Sequence, residues 1–591
     1  MQAQTASIPS DQTPYQAAPA GSKRLRLWPA LVLIAVFWAA YFVVGALEKP
    51  YFVAWIYSMA APALLLLLFS IWWWVFARLS LAYRVYGCAL VVVAGAVVTP
   101  LCHPTIWFGL PTGGLAMALT VVTLWLLFVN WTGFPWNQLG LAVVVLLSWG
   151  YFTLIRVDGI NGDLKANTKW RWTPTPEQQF LAEKARRQGS NADLGDSGQV
   201  LSLTAGDWPA FRGPDRDGVI RGVRIATDWD ATPPKLLWRQ LVGPAWSSVI
   251  VVGRRLYTQE QRGDKEAVVC YEAATGKELW AHEDDGRFDG PPAGVGPRAT
   301  PTFADGKLFS LGASGVLNCL NARTGERLWQ HDISADAPAK PPMWGFSGSP
   351  LVVKDKVIVF AGGQSGRQLL AYDTQSGNLA WTAPASDGSY ASPQLVTLAG
   401  QPQCLLPGDQ GVTAVDPATG NVLWRYGRPT PGAPRALQVH LVGQSQLIGT
   451  LALTGLTLID VTRQDGQWQA TEVWSSWQMR PEFSDIVVHE GRAYGFDGAI
   501  FSCIDLSAGK RRWKEGRYGR GQVMLLAEQA LLLVLTEEGE VVLLPADGYR
   551  HEELGRFRAL EGTTWNHPVI AHGRLFVRNA EEMACYELAG P

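Results

Sequence analysis

Two kinds of hydrophobic pattern divide the chain. Up to residue 155 apolar residues run on in long blocks; beyond residue 245 they alternate in short stretches that keep returning. Leu27 to Leu47 carries no charge, and neither does Tyr51 to Ala77, which holds "ALLLLLFSIWWWVF". Each block is long enough to cross the roughly 30 Å hydrocarbon layer of a bilayer as a helix. From Val85 to Ile155 no Asp, Glu, Lys or Arg occurs, too long a stretch for one or two crossings. Breaks at "CHPTIWFGLPT" and "NWTGFPWN" cut it into three. The pattern predicts about five helices, near 27–47, 52–76, 82–101, 113–131 and 137–155, making a transmembrane helical domain over 27–155.

Orientation follows from the basic residues. Lys23, Arg24 and Arg26 precede the first helix, and Arg78 and Arg84 lie between the second and third. Both groups fall on one side, which is then cytoplasmic, together with an expected disordered tail over 1–26. Five crossings send everything after Ile155 to the other side; an even count would reverse this. The first block lacks a small-residue cleavage site and reads as an anchor rather than a removed signal. "WWW" (Trp72–Trp74), near a helix end, reads as part of an interfacial aromatic belt. Residues 156–206 are polar and read as a linker. Within it "TPEQQFLAEKARRQ" predicts a short helix capped by Thr175, with Pro176 at its first position, on or near the membrane surface. "GSNADLGDSG" after it reads as a flexible tether.

The alternating part repeats one phrase. "CYEAATGKELW" ends at Trp280 and "CLNARTGERLW" at Trp329. Looser copies end at Trp381, Trp424, Trp474 and Trp513, and a degenerate one at Phe557. A period of roughly 40–50 residues marks a propeller with one four-stranded blade per repeat. In each phrase a strand ends at Glu272, Asn321, Asp373, Asp416 or Asp505, whose side chain suits the amides of a following turn. Gly276, Gly325, Gly377, Gly420 and Gly509 lie four residues before the Trp and supply the positive φ of that turn. The Trp then stands on the outermost strand, able to pack on the neighbouring blade. Two more strands precede each phrase, as in "ATPTFADGKLFSLGAS". After Phe557 this pattern returns, but the chain ends before an outer strand. "PPKLLWRQL" (Pro233–Leu241) carries Trp238 without a blade of its own, and it can complete the last one. The fold class is therefore an all-β eight-bladed propeller over 207–591, preceded by the helical domain.

Composition removes several functions. Net charge is −1, so no basic field draws nucleic acid. Cys270, Cys319 and Cys503 each lie ten residues before a Trp, and Cys585 fits the same slot, held by Ala371 and Ala414 in other repeats. These are small strand positions, blades apart, and not disulfide partners. There is no C-x-x-C, P-loop, H-E-x-x-H or G-x-S-x-G. His103 lies in an inter-helix loop and reads as a satisfied surface residue.

The "D-x-x-T-G-x-x-x-W" hairpins resemble the tryptophan-docking repeats of the pyrroloquinoline-quinone (PQQ)-like eight-bladed propellers. "DWPAFRGPDRDGV" (Asp207–Val219) resembles a lead-in of bacterial PQQ-binding-like repeat proteins. The family includes quinoprotein dehydrogenases and a cofactor-free propeller that assists outer-membrane protein assembly. The resemblance implies a bacterial inner (cytoplasmic) membrane protein with a periplasmic propeller. A catalytic member implies PQQ, a calcium ion on oxygen ligands and a carboxylate base.

In such a ring the first residues of the innermost strands line an axial funnel. Here they are Trp246–Ser248, Arg298–Thr300, Ser347–Ser349, Tyr390–Ser392, Gln438–His440, Ser484–Asp485, Arg520–Gln522 and Asn566–His567. Asp485 is the one obvious inward carboxylate, with Glu482 near it. It is the candidate base of an enzyme and, with Asn566, the candidate metal ligand. Trp246, Trp344 and Trp565 are candidates to stack on a planar ligand, and Arg298 and Arg520 to hold an anion; alternatively, these arginines pair with Asp485 and rim glutamates. The leading expectation is a non-catalytic scaffold with no cofactor, offering loops or blade edges to envelope protein partners or a small ligand its funnel. The alternative is a PQQ- and calcium-dependent dehydrogenase of alcohols or sugars that passes electrons to membrane quinone.

Overall fold

The computed structural model describes residues 26–47, 51–132, 137–163, 165–187, 201–290, 294–427, 429, 435–451 and 455–590. The amino-terminal tail up to residue 25 and the "GSNADLGDSG" tether lie outside them. The chain forms two compact units, one made chiefly of residues up to Arg156 together with Lys169–Arg171, and the other chiefly of Val157–Thr168 and the chain from Trp172 onward.

The first unit holds five apolar helices: α1 (Trp28–Ala46), α2 (Tyr51–Ile71), α3 (Leu81–Val98), α4 (Leu115–Thr132) and α5 (Asn137–Tyr151). Four candidate spans are long and apolar enough to cross a membrane; α5, at 15 residues, is shorter than that measure. Glycines let tryptophan rings approach the helix backbones. Gly87 faces Trp73, Gly95 faces Trp149 and Gly140 faces Trp125, with no room for a Cβ at Gly140. The "WWW" stretch is divided: Trp72 and Trp73 are buried and only Trp74 is exposed. The Trp72 Nε1–H donates to the Arg26 carbonyl at 3.0 Å, so the expected belt shrinks to one residue. His103 is satisfied locally, its Nδ1 lying 2.9 Å from Thr105 Oγ1.

The second unit is a ring of eight antiparallel blades. Blade 1 comprises Ile250–Val252, Arg255–Arg262, Lys265–Glu272 and Glu278–Asp285 from axis to rim. Blades 2 to 6 begin with innermost strands Thr302–Ala304, Leu351–Val353, Gln394–Leu398, His440–Val442 and Val487–His489. Blade 7 begins with Gln522–Leu526, and on its axial side Val219–Ile220 adds a short parallel strand. Blade 8 begins with Val569–Ala571, and its outermost strand is Lys235–Leu241, with Trp238 opposite Cys585. An early segment thus completes the last sheet and closes the ring, removing free edges between the first and last blades.

The repeated phrase works as a joint between blades. Glycine 276 carries φ 72° and packs under Trp238 of blade 8; Gly325, at φ 75°, packs under Trp280 of blade 1. Gly377, Gly420 and Gly509 receive Trp329, Trp381 and Trp474 in the same way. Each pair couples the outer strand of one blade to the turn of the next. The indole N–H then donates across the joint: Trp238 to Ala273 O at 3.0 Å, Trp381 to Pro417 O at 3.1 Å and Trp474 to Leu506 O at 2.8 Å. The side chain before the turn accepts its amides, as Asp373 does from Gln375 and Ser376. The small residue ten before the Trp is its cross-strand partner: Cys270 opposite Trp280, Ala371 opposite Trp381, Cys503 opposite Trp513. A bulge follows each of these pairs and aims the indole sideways. The propeller cysteines are buried and form no disulfide.

Three blades depart from the rule. Trp280 of blade 1 packs on Gly325, but its Nε1–H makes no hydrogen bond among the described residues. Blade 5 extends its outer hairpin to Leu456–Gln464 and Gln467–Ser476, so Trp424 of blade 4 donates to Gln403 Oε1 in its own sheet instead. In blade 7 Phe557 replaces the tryptophan and meets Tyr586 of blade 8 edge-on at 4.9 Å.

The linker forms a hairpin, β1 (Ile155–Ile160) and β2 (Ala166–Trp170), and then helix α6 (Pro176–Arg187). Thr175 and Gln178 cap α6 reciprocally, each side chain accepting the other's amide. Helix α6 is docked on blade 1. Phe180 is 6% exposed, beneath the Arg262 guanidinium at 5.5 Å. Glu177 accepts Gly263 N–H at 2.8 Å and pairs with Arg287 at 3.0 Å.

Candidate functional site

The starts of the innermost strands meet in a belt of polar joints around the axis. Ser248 N–H donates to Thr300 Oγ1 at 3.0 Å, Thr300 N–H to Ser349 Oγ at 2.9 Å, and Ser349 N–H to Ser392 Oγ at 2.9 Å. Gln438 Nε2–H donates to Gln394 Oε1, and Asp485 N–H to Gln522 Oε1 at 3.3 Å. Gln522 Nε2–H reaches Trp565 O at 3.0 Å, and Asn566 Nδ2–H closes the circle on Ser247 O at 2.7 Å. Side chains that alternation directs toward the axis thus satisfy buried backbone at the blade seams.

One end of the axis is filled by the lead-in Asp207–Val219. Asp207 Oδ1 accepts Gly253 N–H at 2.7 Å and lies 2.8 Å from His572 Nε2, and Trp208 pairs with Val251. Arg212 and Arg216 sit at φ 61° and 56°, with Gly213 and Gly218 also positive, so the segment coils tightly and turns both guanidiniums inward. A Cβ on Gly218 would overlap the Arg212 guanidinium. Arg216 donates to Pro350 O at 2.9 Å and Ser349 O at 3.1 Å. Arg212, its side chain fully buried, lies 3.0 Å from Asp485 Oδ2 and donates to Ile486 O at 2.6 Å.

Asp485 is therefore spoken for on both oxygens. Its Oδ1 lies 2.8 Å from His440 Nε2 and accepts Ile486 N–H at 3.1 Å. Burial alone would raise its pKa, but Arg212 and then His440 outweigh it and hold the carboxyl well below the ordinary range. A general base needs an oxygen open to a substrate proton; here one oxygen faces the Arg212 guanidinium and the other is held by His440 Nε2 and Ile486 N–H. Sequence reasoning found Asp485 but not Arg212 or Arg216. The available signal was two arginines set among glycines in "FRGPDRDG", residues that permit tight backbone turns.

The opposite mouth holds the other candidates in two sectors. In the first, Trp246 and Trp565 have ring centroids 4.7 Å apart, with Phe483 edge-on to Trp565 at 5.4 Å. Arg520 pairs here with Glu482 at 2.6 Å and Asp163 at 2.8 Å. The second, across the ring, places Trp344 against Tyr390 at 4.9 Å. Arg298 belongs to this sector, 5.0 Å over Phe288, and donates to Gly294 O and Gly296 O. Among the described residues no carboxylate lies within ion-pair distance of Arg298, and burial lowers its pKa to about 10. The two arginines thus differ: Arg520 is neutralised within the chain, and Arg298 is solvated by carbonyls and a ring face.

Asp485 and Asn566 do not fit the calcium of a quinoprotein. A cation at Asp485 would face the Arg212 guanidinium at 3.0 Å. Asn566 spends its amide on Ser247 and offers only Oδ1. Among the described residues no group of three or more His, Cys, Asp or Glu is placed to hold a metal ion.

His567 gives the axis a measurable pH response. It lies edge-on to Phe211 at 4.9 Å, and burial, then the Arg212 charge, push its pKa down to about 3. The unfolded chain binds this proton near pH 6.5 and the folded one does not. His567 therefore favours folding fully above pH 6.5, and that contribution is lost as pH falls toward 3, at up to about 1.4 kcal/mol per unit. Asp485 adds nothing to this slope until about pH 4, because its folded pKa lies below the unfolded one. Thermal unfolding of wild type and His567→Phe between pH 7 and 4.5 checks this: the variant should show the shallower loss.

The architecture defines a class, the tryptophan-docked eight-bladed propellers. Within it, the PQQ_2 family model, described as outer membrane protein assembly factor BamB, matches residues 224–402 and 313–551. Those matches span more than half of the 591 residues, and the chain belongs to that family. Among curated proteins none matches. BamB from Moraxella catarrhalis is a similar solved structure, at 17% identity and TM-score 0.44, covering 60% of this chain and all of that one. A europium-containing methanol dehydrogenase is similar at 16% identity and TM-score 0.48, covering 63% of this chain and 89% of that chain. Quinohemoprotein alcohol dehydrogenase from Comamonas testosteroni is similar at 13% identity and TM-score 0.49, covering 70% and 84%.

Proposed function

We propose that this protein is a membrane-anchored, non-catalytic propeller of the bacterial cell envelope. The helical unit sits in the inner membrane, and the propeller stands in the periplasm. There it offers blade edges and loops to protein partners or its mouth to a small anionic ligand. The observation that carries the reading is the neutralisation of Asp485. Asp485, the inward carboxylate at the starts of the innermost strands, is locked between Arg212 and His440. Four spans of adequate length support the anchor, and Arg26, Arg78 and Arg84 support a cytoplasmic amino terminus; the periplasmic placement takes the shorter apolar helix α5 as a fifth crossing. Arg298, held by carbonyls and an aromatic face, is the cation best placed to receive an anion at the mouth. A PQQ-dependent dehydrogenase is the reading against which this one is set; the paired Trp246 and Trp565 rings suit a planar ligand, but Asp485 does not suit the base.

Two measurements in cells test the proposal. A reporter fused after residue 300 should be active only in its periplasmic form; a cytoplasmic signal removes the orientation. Crosslinking through the propeller should capture envelope proteins in stoichiometric amounts, and recovery of the chain alone under every crosslinker counts against a scaffold.

A further inference from the structure

Blade 6 gathers cations on one carboxylate. Asp497 ends its second strand, Arg492–Asp497, and the side chain is 1% exposed. Arg480, in the connection from blade 5, donates twice to Asp497 Oδ1, from Nε at 3.1 Å and from its backbone N–H at 3.2 Å. Arg511 and Lys514, on the outer strand Lys510–Arg517, donate to Oδ2 at 2.7 Å and 3.0 Å. Three cations thus meet one negative charge. Asp505, the acid at the far end of the same strand pair, is bonded to Arg512.

Both guanidiniums are anchored through some of their donors and open through the rest. Arg480 is also pinned through its backbone, because Gly498 N–H donates to its carbonyl at 3.3 Å. Arg511 Nε donates to Gln478 O at 2.9 Å. Four donors fill the roughly four lone-pair sites of the Asp497 carboxylate, so it cannot serve more. Among the described residues the two terminal amino groups of Arg480 and Nη1 of Arg511 make no hydrogen bond. Each of these side chains is 31% exposed, so the open donors are within reach of a ligand.

Charge and donor geometry select that ligand. A carboxylate brings one charge and two oxygens, and Asp497 already supplies that. A phosphate group carries about −1.5 to −2 at pH 7 and three acceptor oxygens, which suits several cations with donors to spare. Guanidinium forks match its oxygens in pairs. The forks are held in place by the fold, so little ordering is left for binding to oppose.

We propose that Arg480 and Arg511, with Lys514 beside them, bind a phosphate-class oxyanion, supplied free or as the headgroup of an anionic lipid. The site belongs to other blades than Arg298 and stands whether or not the mouth takes a ligand.

Titration of the full-length protein in a phosphate-free, non-ionic detergent tests this, by calorimetry at fixed ionic strength with inorganic phosphate as the probe. Phosphate should bind with a Kd on the order of 1 mM or tighter, and acetate about 10-fold more weakly or worse. Arg480→Gln and Arg511→Gln should each weaken phosphate by about 10-fold. Arg480→Lys, which keeps the charge and loses the fork, should fall between. Arg298→Gln should leave this affinity unchanged. Mixed micelles containing phosphatidic acid compete with phosphate if a lipid headgroup is the source, whereas a lack of competition assigns the site to free phosphate. Phosphate binding that survives both glutamine variants, that Arg298→Gln abolishes, that acetate equals, or that does not saturate by about 10 mM overturns the proposal.

Discussion

Arg212→Met is expected to cost the propeller about 3–5 kcal/mol, the usual penalty for stranding one member of a buried ion pair. The side chain is fully buried, and its loss leaves Asp485 facing His440 alone. Asp485→Asn should cost a similar amount by stranding the guanidinium. The double variant should be less destabilised than the sum of the two, because the charges then leave together. Thermal unfolding of the full-length protein, read on the propeller transition, checks the cycle. Additive losses would mean that the two side chains act independently, contrary to the 3.0 Å contact.

The second large effect concerns closure. Trp238→Ala should cost about 3 kcal/mol, toward the low end for tryptophan truncation because this side chain is half-buried. Trp238 packs over Gly276 and donates to Ala273 O, so its loss opens the seam between blades 8 and 1. Hydrogen exchange should rise over 235–241 and 569–587 and stay flat over blade 3. Trp238→Phe keeps the ring contact and loses the 3.0 Å hydrogen bond, so it should fall between. A uniform rise around all eight blades would contradict a seam-specific role.

These residues also show what was legible from the chain. The joint recurs, and recurrence is readable: glycine, tryptophan and the small residue opposite it return at fixed offsets. That placed Trp238 on the last blade before any contact was known. The five apolar helices were legible because uncharged runs admit few other structures. The axis was legible only in part. Alternation identifies Asp485 and His440 as inward, but the guanidinium that pairs with Asp485 comes from Arg212, which belongs to no repeat. Nothing in the local pattern says that a lead-in segment folds back through the ring. The docking of α6 and the Gly162–Glu537 contact were hidden for the same reason: each joins the non-repeating linker to a loop far along the chain. Trp72 and Trp73 misled because a tryptophan near a helix end suits a lipid interface and a packed interior equally well.

The central claim is that the axial carboxylate is a structural anchor and not a base. Titration of the purified full-length protein with PQQ and calcium tests it most directly, following the quinone absorbance and dye reduction with alcohols and sugars. The account predicts neither stoichiometric binding nor turnover. Stoichiometric binding accompanied by turnover would contradict it.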